Sequence, residues 1–136
     1  EGIRQMRRVL EINPDHAQAL NYIGYTYAEK EIFLDEAETL VKRALELKPD
    51  DGYITDSLGW VYFKKGQMDK AIAELEKAHK LAPEDPVIAE HLGDVYLKNR
   101  EYEKALQMYE RSLQLDPKKT EVAEKLKKLR REKKRP

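Results

Sequence analysis

The sequence predicts an all-α fold: a solenoid of antiparallel helix pairs closed at its C-terminal end by one further helix. Two observations predict it. Four prolines, Pro14, Pro49, Pro83 and Pro117, follow one another at 35, 34 and 34 residues, and self-similarity at a fixed period of roughly 20–50 residues marks a repeat architecture. Within each period apolar residues recur three and four apart, as in Leu20, Ile23 and Tyr27 or Leu58 and Tyr62. That is helical spacing, not strand spacing, so each period holds two helices.

The elements follow in chain order. Residues 3–14 carry the stripe Ile3, Met6, Val9, Leu10 and Ile12, the second helix of a truncated repeat. Repeats one, two and three are expected at 17–49, 52–83 and 86–117. The segments before the prolines are alike: Leu10-Glu11-Ile12-Asn13, Leu45-Glu46-Leu47-Lys48, His79-Lys80-Leu81-Ala82 and Leu113-Gln114-Leu115-Asp116. Asp15, Asp51 and Asp85 are expected N-caps, with Pro86 at a first helical position. Gly66 and Asn99 fall where a left-handed turn residue is useful. Repeat one separates Tyr27 from Ala37 by ten positions, against nine from Tyr62 to Ala71 and from Tyr96 to Ala105. In that longer turn Leu34 is expected in the core, aligned with Met68 and Tyr102. Phe33 is left open between local packing and a protruding contact. The last element is an amphipathic, basic capping helix over 120–134, with Val122, Leu126 and Leu129 on one face and Thr120 as its cap, since terminal repeats need a polar outer face.

Composition narrows the function. The 136 residues hold 26 Lys and Arg against 26 Asp and Glu, so no global field draws the chain to nucleic acid or an anionic membrane. Residues 118–136 nonetheless carry ten Lys and Arg against three Glu, leaving the rest of the chain acidic by the same margin of seven. There is no cysteine, which excludes disulfides and thiolate chemistry. No apolar run approaches the roughly 20 residues that span a bilayer, so no membrane insertion is expected. The chain starts at Glu1 without Met and reads as a piece of a longer protein. His16, His79 and His91 show no metal-ligand spacing, and no HExxH or phosphate loop is present. His79 aligns with Leu45 and Leu113 and is expected to pack, and His16 to start a helix. No enzyme activity, metal, cofactor or small-molecule substrate is expected.

Three further motifs repeat with the period. They are Ile23-Gly24-Tyr25-Thr26-Tyr27, Leu58-Gly59-Trp60-Val61-Tyr62 and Leu92-Gly93-Asp94-Val95-Tyr96; then Ala37, Ala71 and Ala105; then Ala44, Ala78 and Ser112. Each glycine costs about 1 kcal/mol of helix propensity against Ala, tolerable where the paired helix must approach closely. With the closing prolines, these residues resemble the tetratricopeptide repeat. The large residue that family often places three before the leucine is degraded here, to Leu20, Thr55 and Ala89. The resemblance implies a right-handed superhelix whose first helices line a concave, partner-binding groove.

Carried over residue by residue, the resemblance implies a groove with Asn21, Tyr22 and Tyr25 from repeat one. Repeat two adds Tyr53, Asp56, Trp60, Phe63 and Lys64, and repeat three Glu90, His91, Asp94 and Lys98. Aromatic groups crowd the first two repeats, and Tyr and Trp are frequent binding anchors. Asp56, Glu90, Asp94 and Glu29 outweigh Lys64 and Lys98, so a peptide or protein partner with basic and apolar residues is expected. Some members of the family hold acidic chaperone tails with Lys, Asn and Arg. The matching positions here, Asn21, Tyr25, Ser57, Val87 and His91, lack those cations, which disfavours that ligand. Repeats one and two also resemble segments of bacterial envelope-associated tetratricopeptide proteins, which favours the envelope or periplasm over the cytoplasm. The expected function is a non-enzymatic protein–protein interaction scaffold. Two alternatives stand beside it: self-assembly, as a homodimer or larger oligomer, through residues 3–14, and a basic C-terminal tail, residues 127–136, that binds nucleic acid or an acidic partner. Nucleic acid is the less expected of these.

Overall fold

The computed structural model describes residues 2–133, and within them the chain forms eight helices and no strand. They are α1 (Gly2–Ile12), α2 (Ala17–Lys30), α3 (Leu34–Leu47), α4 (Gly52–Lys64), α5 (Met68–Leu81), α6 (Pro86–Lys98), α7 (Tyr102–Leu115) and α8 (Thr120–Lys133). The tightest pairings are the hairpins α2–α3, α4–α5 and α6–α7. Each hairpin then packs on the next through α3–α4 and α5–α6, with α1 leaning on α2 and α8 on α7. The first helices also touch one another directly, α2 on α4 and α4 on α6. This is the stacked-pair solenoid expected from the period. The expected end of the last helix, residue 134, and the tail beyond it lie outside the described residues.

The repeated small residues set the close crossings. A Cβ on Gly24 would lie 2.4 Å from Val41 Cγ2, on Gly59 2.6 Å from Leu75 Cγ, and on Gly93 2.7 Å from the Tyr109 ring. The facing helices bury Ala37, Val41 and Ala44, then Ala71, Leu75 and Ala78, then Ala105, Tyr109 and Ser112. Burying a side chain such as Leu75 or Val41 contributes about 1.5–3 kcal/mol. Val122, Leu126 and Leu129 of α8 are buried too, closing this end of the core. The N-terminal end is not closed in that way. No residue of α1 is fully buried, and Ile3, Met6 and Leu10 rest half-covered against the core while Ile12 is 88% exposed.

Caps and turns depart from the sequence expectation in three places. Asp51 and Asp85 cap α4 and α6 through the N–H groups of residues two and three further on. At α2 the cap is His16, whose Nδ1 accepts from the Ala19 N–H at 3.1 Å, while Asp15 pairs with Arg43 on α3. Thr120 is the first helical residue of α8, not its cap. Between α6 and α7 the left-handed residue is Arg100, at φ 63, and Asn99 keeps φ −85. Arg100 corresponds to Gly66, at φ 79, so a side-chain-bearing residue takes the strained position. The longer turn of repeat one absorbs its extra residue with two such positions, Glu31 at φ 57 and Phe33 at φ 50. Phe33 is exposed, with its ring edge-on to Tyr27 at 5.2 Å, and Leu34 packs half-buried against the core.

Candidate functional site: the concave face of α2, α4 and α6

The groove positions sit on the inner helices and divide into three groups. The first is an open cleft of about 370 Å³ between α2 and α4, lined by Gln18, Asn21, Tyr22, Tyr25, Asp51, Tyr53 and Ile54. Tyr22 is 44% and Tyr53 60% exposed. Asn21 Oδ1 is buried there with no hydrogen-bond partner. A buried acceptor left unsatisfied costs about 1–3 kcal/mol. The cleft therefore offers two aromatic faces, while the Asn21 oxygen lies beneath its surface.

The second group is a packed floor. Trp60 is only 6% exposed. Its Nε1–H donates to Glu29 Oε1 on α2 at 2.5 Å, its indole stacks on His91 of α6, and Phe63 lies 4.9 Å from it. Lys64 Nζ stands over the indole at 5.2 Å and reaches Glu31 at 3.4 Å. His91 Nδ1 meets both oxygens of the buried Asp56, at 2.9 and 3.1 Å, and its Nε2 is 3.5 Å from the Tyr25 hydroxyl. Burial alone would lower the His91 pKa; the Asp56 hydrogen bond and charge, with Asp94 and Glu90 behind it, outweigh burial and hold it above its ordinary value. The Tyr25 phenol is pushed up, first by burial and then by Glu29. Trp60, Asp56 and His91 thus join three inner helices to one another, and Trp60, expected among the exposed groove residues, is packed instead.

The third group changes the expected acidic lean. Glu90 is paired with Lys119 at 3.1 Å and Lys125 at 2.9 Å, and Asp94 takes Lys125 at 3.0 Å and the Tyr109 hydroxyl at 2.6 Å. Both lysines come from the C-terminal segment. The groove carboxylates therefore meet intramolecular cations, and the sequence reading missed these partners. One further step of the period finds Lys125: it stands 34 residues after His91, and both answer an acid 35 residues earlier, Glu90 and Asp56. Lys98 is exposed and faces α8 rather than the α2–α4 cleft.

Among the described residues no group of three or more His, Cys, Asp or Glu is arranged to hold a metal ion, and no helix is long and apolar enough to cross a membrane. His79 is half-buried on α5; burial, then Arg111, lowers its pKa.

Known proteins share this fold. One tetratricopeptide repeat model matches residues 62–129, and a second matches 1–52 and 33–86. A TPR repeat-containing protein of Pseudomonas aeruginosa is 40% identical over 68 residues, which is 50% of this chain and only 12% of the relative's length. The solved structure of pilF from Pseudomonas aeruginosa superposes with a TM-score of 0.82 at 23% identity, covering 94% of this chain and 58% of that one. MamA superposes at 0.79 and 24% identity, over 96% and 76%. The first TPR domain of Spaghetti (RPAP3), solved with an HSP90 peptide, superposes at 0.77 and 22% identity, over 85% and 90%. At these identities the structures show a common fold. With stacked helix pairs, glycine–small-residue crossings and matching family models over most of its length, the chain belongs to the tetratricopeptide repeat family.

Proposed function

We propose that the chain is a non-enzymatic scaffold that holds an extended segment of a partner protein in the α2–α4 cleft. The observation that carries this reading is the cleft itself, which exposed Tyr22 and Tyr53 line together from α2 and α4. The two rings cover the side chains of a bound peptide. Stiff aromatic surface binds at low entropic cost. The partner's basic character loses its main support, since Glu90 and Asp94 are paired within the chain. Apolar character is what the cleft favours. The missing cations at Asn21, Tyr25, Ser57, Val87 and His91 still weigh against an acidic chaperone tail in this groove.

Selection of random dodecapeptides on the intact chain tests the reading. Enriched peptides should bind Tyr22→Ala and Tyr53→Ala variants at least tenfold more weakly, with helicity unchanged. Equal binding to both variants would sink it.

A second reading, self-association through α1, is favoured by its half-covered apolar stripe and by Ile12. Arg4, Arg7 and Arg8 work against it: α1 and the lysine-rich α8 are both basic, which disfavours head-to-tail stacking. Light scattering that returns a monomer mass at millimolar concentration eliminates it.

A further inference from the structure

A second cleft, of about 620 Å³, opens where the end of α6, the α6–α7 turn and α8 meet. Its rim carries Lys98, Arg100 and Lys128. Lys119, Lys125 and Arg130 nearby are all in ion pairs. The side chains of Lys98, Arg100 and Lys128 have no hydrogen bond or ion pair among the described residues. Lys118, Lys127 and Arg131 also carry exposed charge at this end, but only Lys98, Arg100 and Lys128 do so around a cleft.

The repeat register makes this more than a loose surface patch. The thirteenth residue of α2 and the ninth of α4, Glu29 and Trp60, are bonded. The same two places at the next junction hold Lys64 and Asp94, of opposite charge. At the last junction they hold Lys98 and Lys128, both cations, and both line the cleft. Two cations lining one cleft attract an anion between them. Arg100 adds a third cation from a left-handed backbone position that the preceding repeat gives to Gly66. Strain of this kind clusters at ligand sites. Lys98 also complements the negative end of α6, as Lys30 and Lys64 do for their helices. That role explains Lys98 alone, and neither Arg100 nor Lys128.

The floor between these cations is formed by Leu97 and Leu129, beside Tyr102, which is half exposed. Glu132 also lies on the lining, and Glu101 and Glu103 stand in or next to the adjoining turn. A continuous phosphate backbone needs an unbroken basic stripe, and these carboxylates interrupt it. Short anionic side chains set among apolar ones fit the same pattern.

We propose that this cleft docks an acidic peptide segment of a partner protein, with carboxylates on Lys98, Arg100 and Lys128 and an apolar side chain on Leu97 and Leu129. The site is separate from the α2–α4 cleft, and it shares no position with those matched above to the chaperone-tail clamp.

The test is an amide NMR titration of the full chain with three probes: acetylated Glu-Glu-Leu-Glu-Glu, inorganic phosphate and a ten-nucleotide oligothymidylate. The pentapeptide should give saturable shifts confined to residues 97–102 and 125–132. Its affinity should fall at least fivefold when glutamine replaces its four glutamates, and again when glycine replaces its leucine. Both comparisons use the unaltered chain. A Lys98→Gln/Lys128→Gln variant should lose at least fivefold as well. Unsaturable shifts, equal binding of the glutamine peptide, or tighter binding of phosphate or oligothymidylate at the same residues would each overturn the proposal.

Discussion

The imidazole of His91 lies flat against the indole of Trp60, with ring centroids 4.0 Å apart and planes inclined by 20°. Asp56 holds the far side of the same imidazole at 2.9 Å. A protonated ring in this position gains from the carboxylate and from the indole face together, and its folded pKa is raised. A raised folded value means that this stabilisation is complete below the unfolded imidazole value of about 6.5. It is lost as pH rises through the folded value. In chemical denaturation between pH 6 and pH 9, the stability that wild type holds over His91→Gln should shrink as pH rises. His79, whose folded value is lowered, contributes the opposite slope, so the decisive comparison is between the two chains: identical pH dependence in wild type and His91→Gln contradicts the charged pair.

Trp60→Ala should destabilise the whole chain by about 3–5 kcal/mol, the usual cost of removing a buried large aromatic side chain. It breaks the stack on His91, the Phe63 contact and the Glu29 bond at once. A urea titration measures it. A loss below 1 kcal/mol means that the indole is not packed as described.

The period, the helix pairs and the glycine crossings were legible in the sequence because each is local or strictly repeated. Gly59 could be placed against the second helix from spacing alone. The state of the groove was not legible. Periodicity assigns Trp60 and Asp56 to the inner face, but it cannot tell an open face from one closed by the next helix. What covers them is His91, 31 and 35 residues away. Glu90 and Asp94 looked free for the same reason, since Lys119 and Lys125 lie beyond the third closing proline. Asn99 looked like the turn residue because Asn tolerates left-handed φ; the backbone register instead puts Arg100 there, where no side-chain preference points.

Gly59→Ala should lower stability by about 1–3 kcal/mol, as overpacking does, although Ala is the better helix former by about 1 kcal/mol. The added methyl would sit 2.6 Å from Leu75 Cγ and 3.2 Å from the Leu75 backbone nitrogen. Pairing it with Leu75→Val should recover part of the loss. A melting point equal to or above the wild type for the single variant removes the close crossing.

Arg100→Gly should act in the opposite sense on stability and on binding. Relief of the left-handed strain at φ 63 exceeds the entropy that glycine adds to the unfolded chain, for a net gain of about 0.5–1 kcal/mol. The same variant should bind the acidic pentapeptide more weakly than the wild type. Calorimetry and the NMR titration read the two effects separately. A lower melting point rejects the strain, and unchanged peptide affinity removes Arg100 from the docking site.

Each junction between inner helices is bridged on the concave side: Glu29 to Trp60, Asp56 to His91, and Glu90 to Lys125. These bridges follow one another along the superhelix axis like links under tension. A pulling force along that axis is carried by every link in turn, so the weakest one sets the load at which the coil yields. Adding strength to the other two leaves that limit where it is.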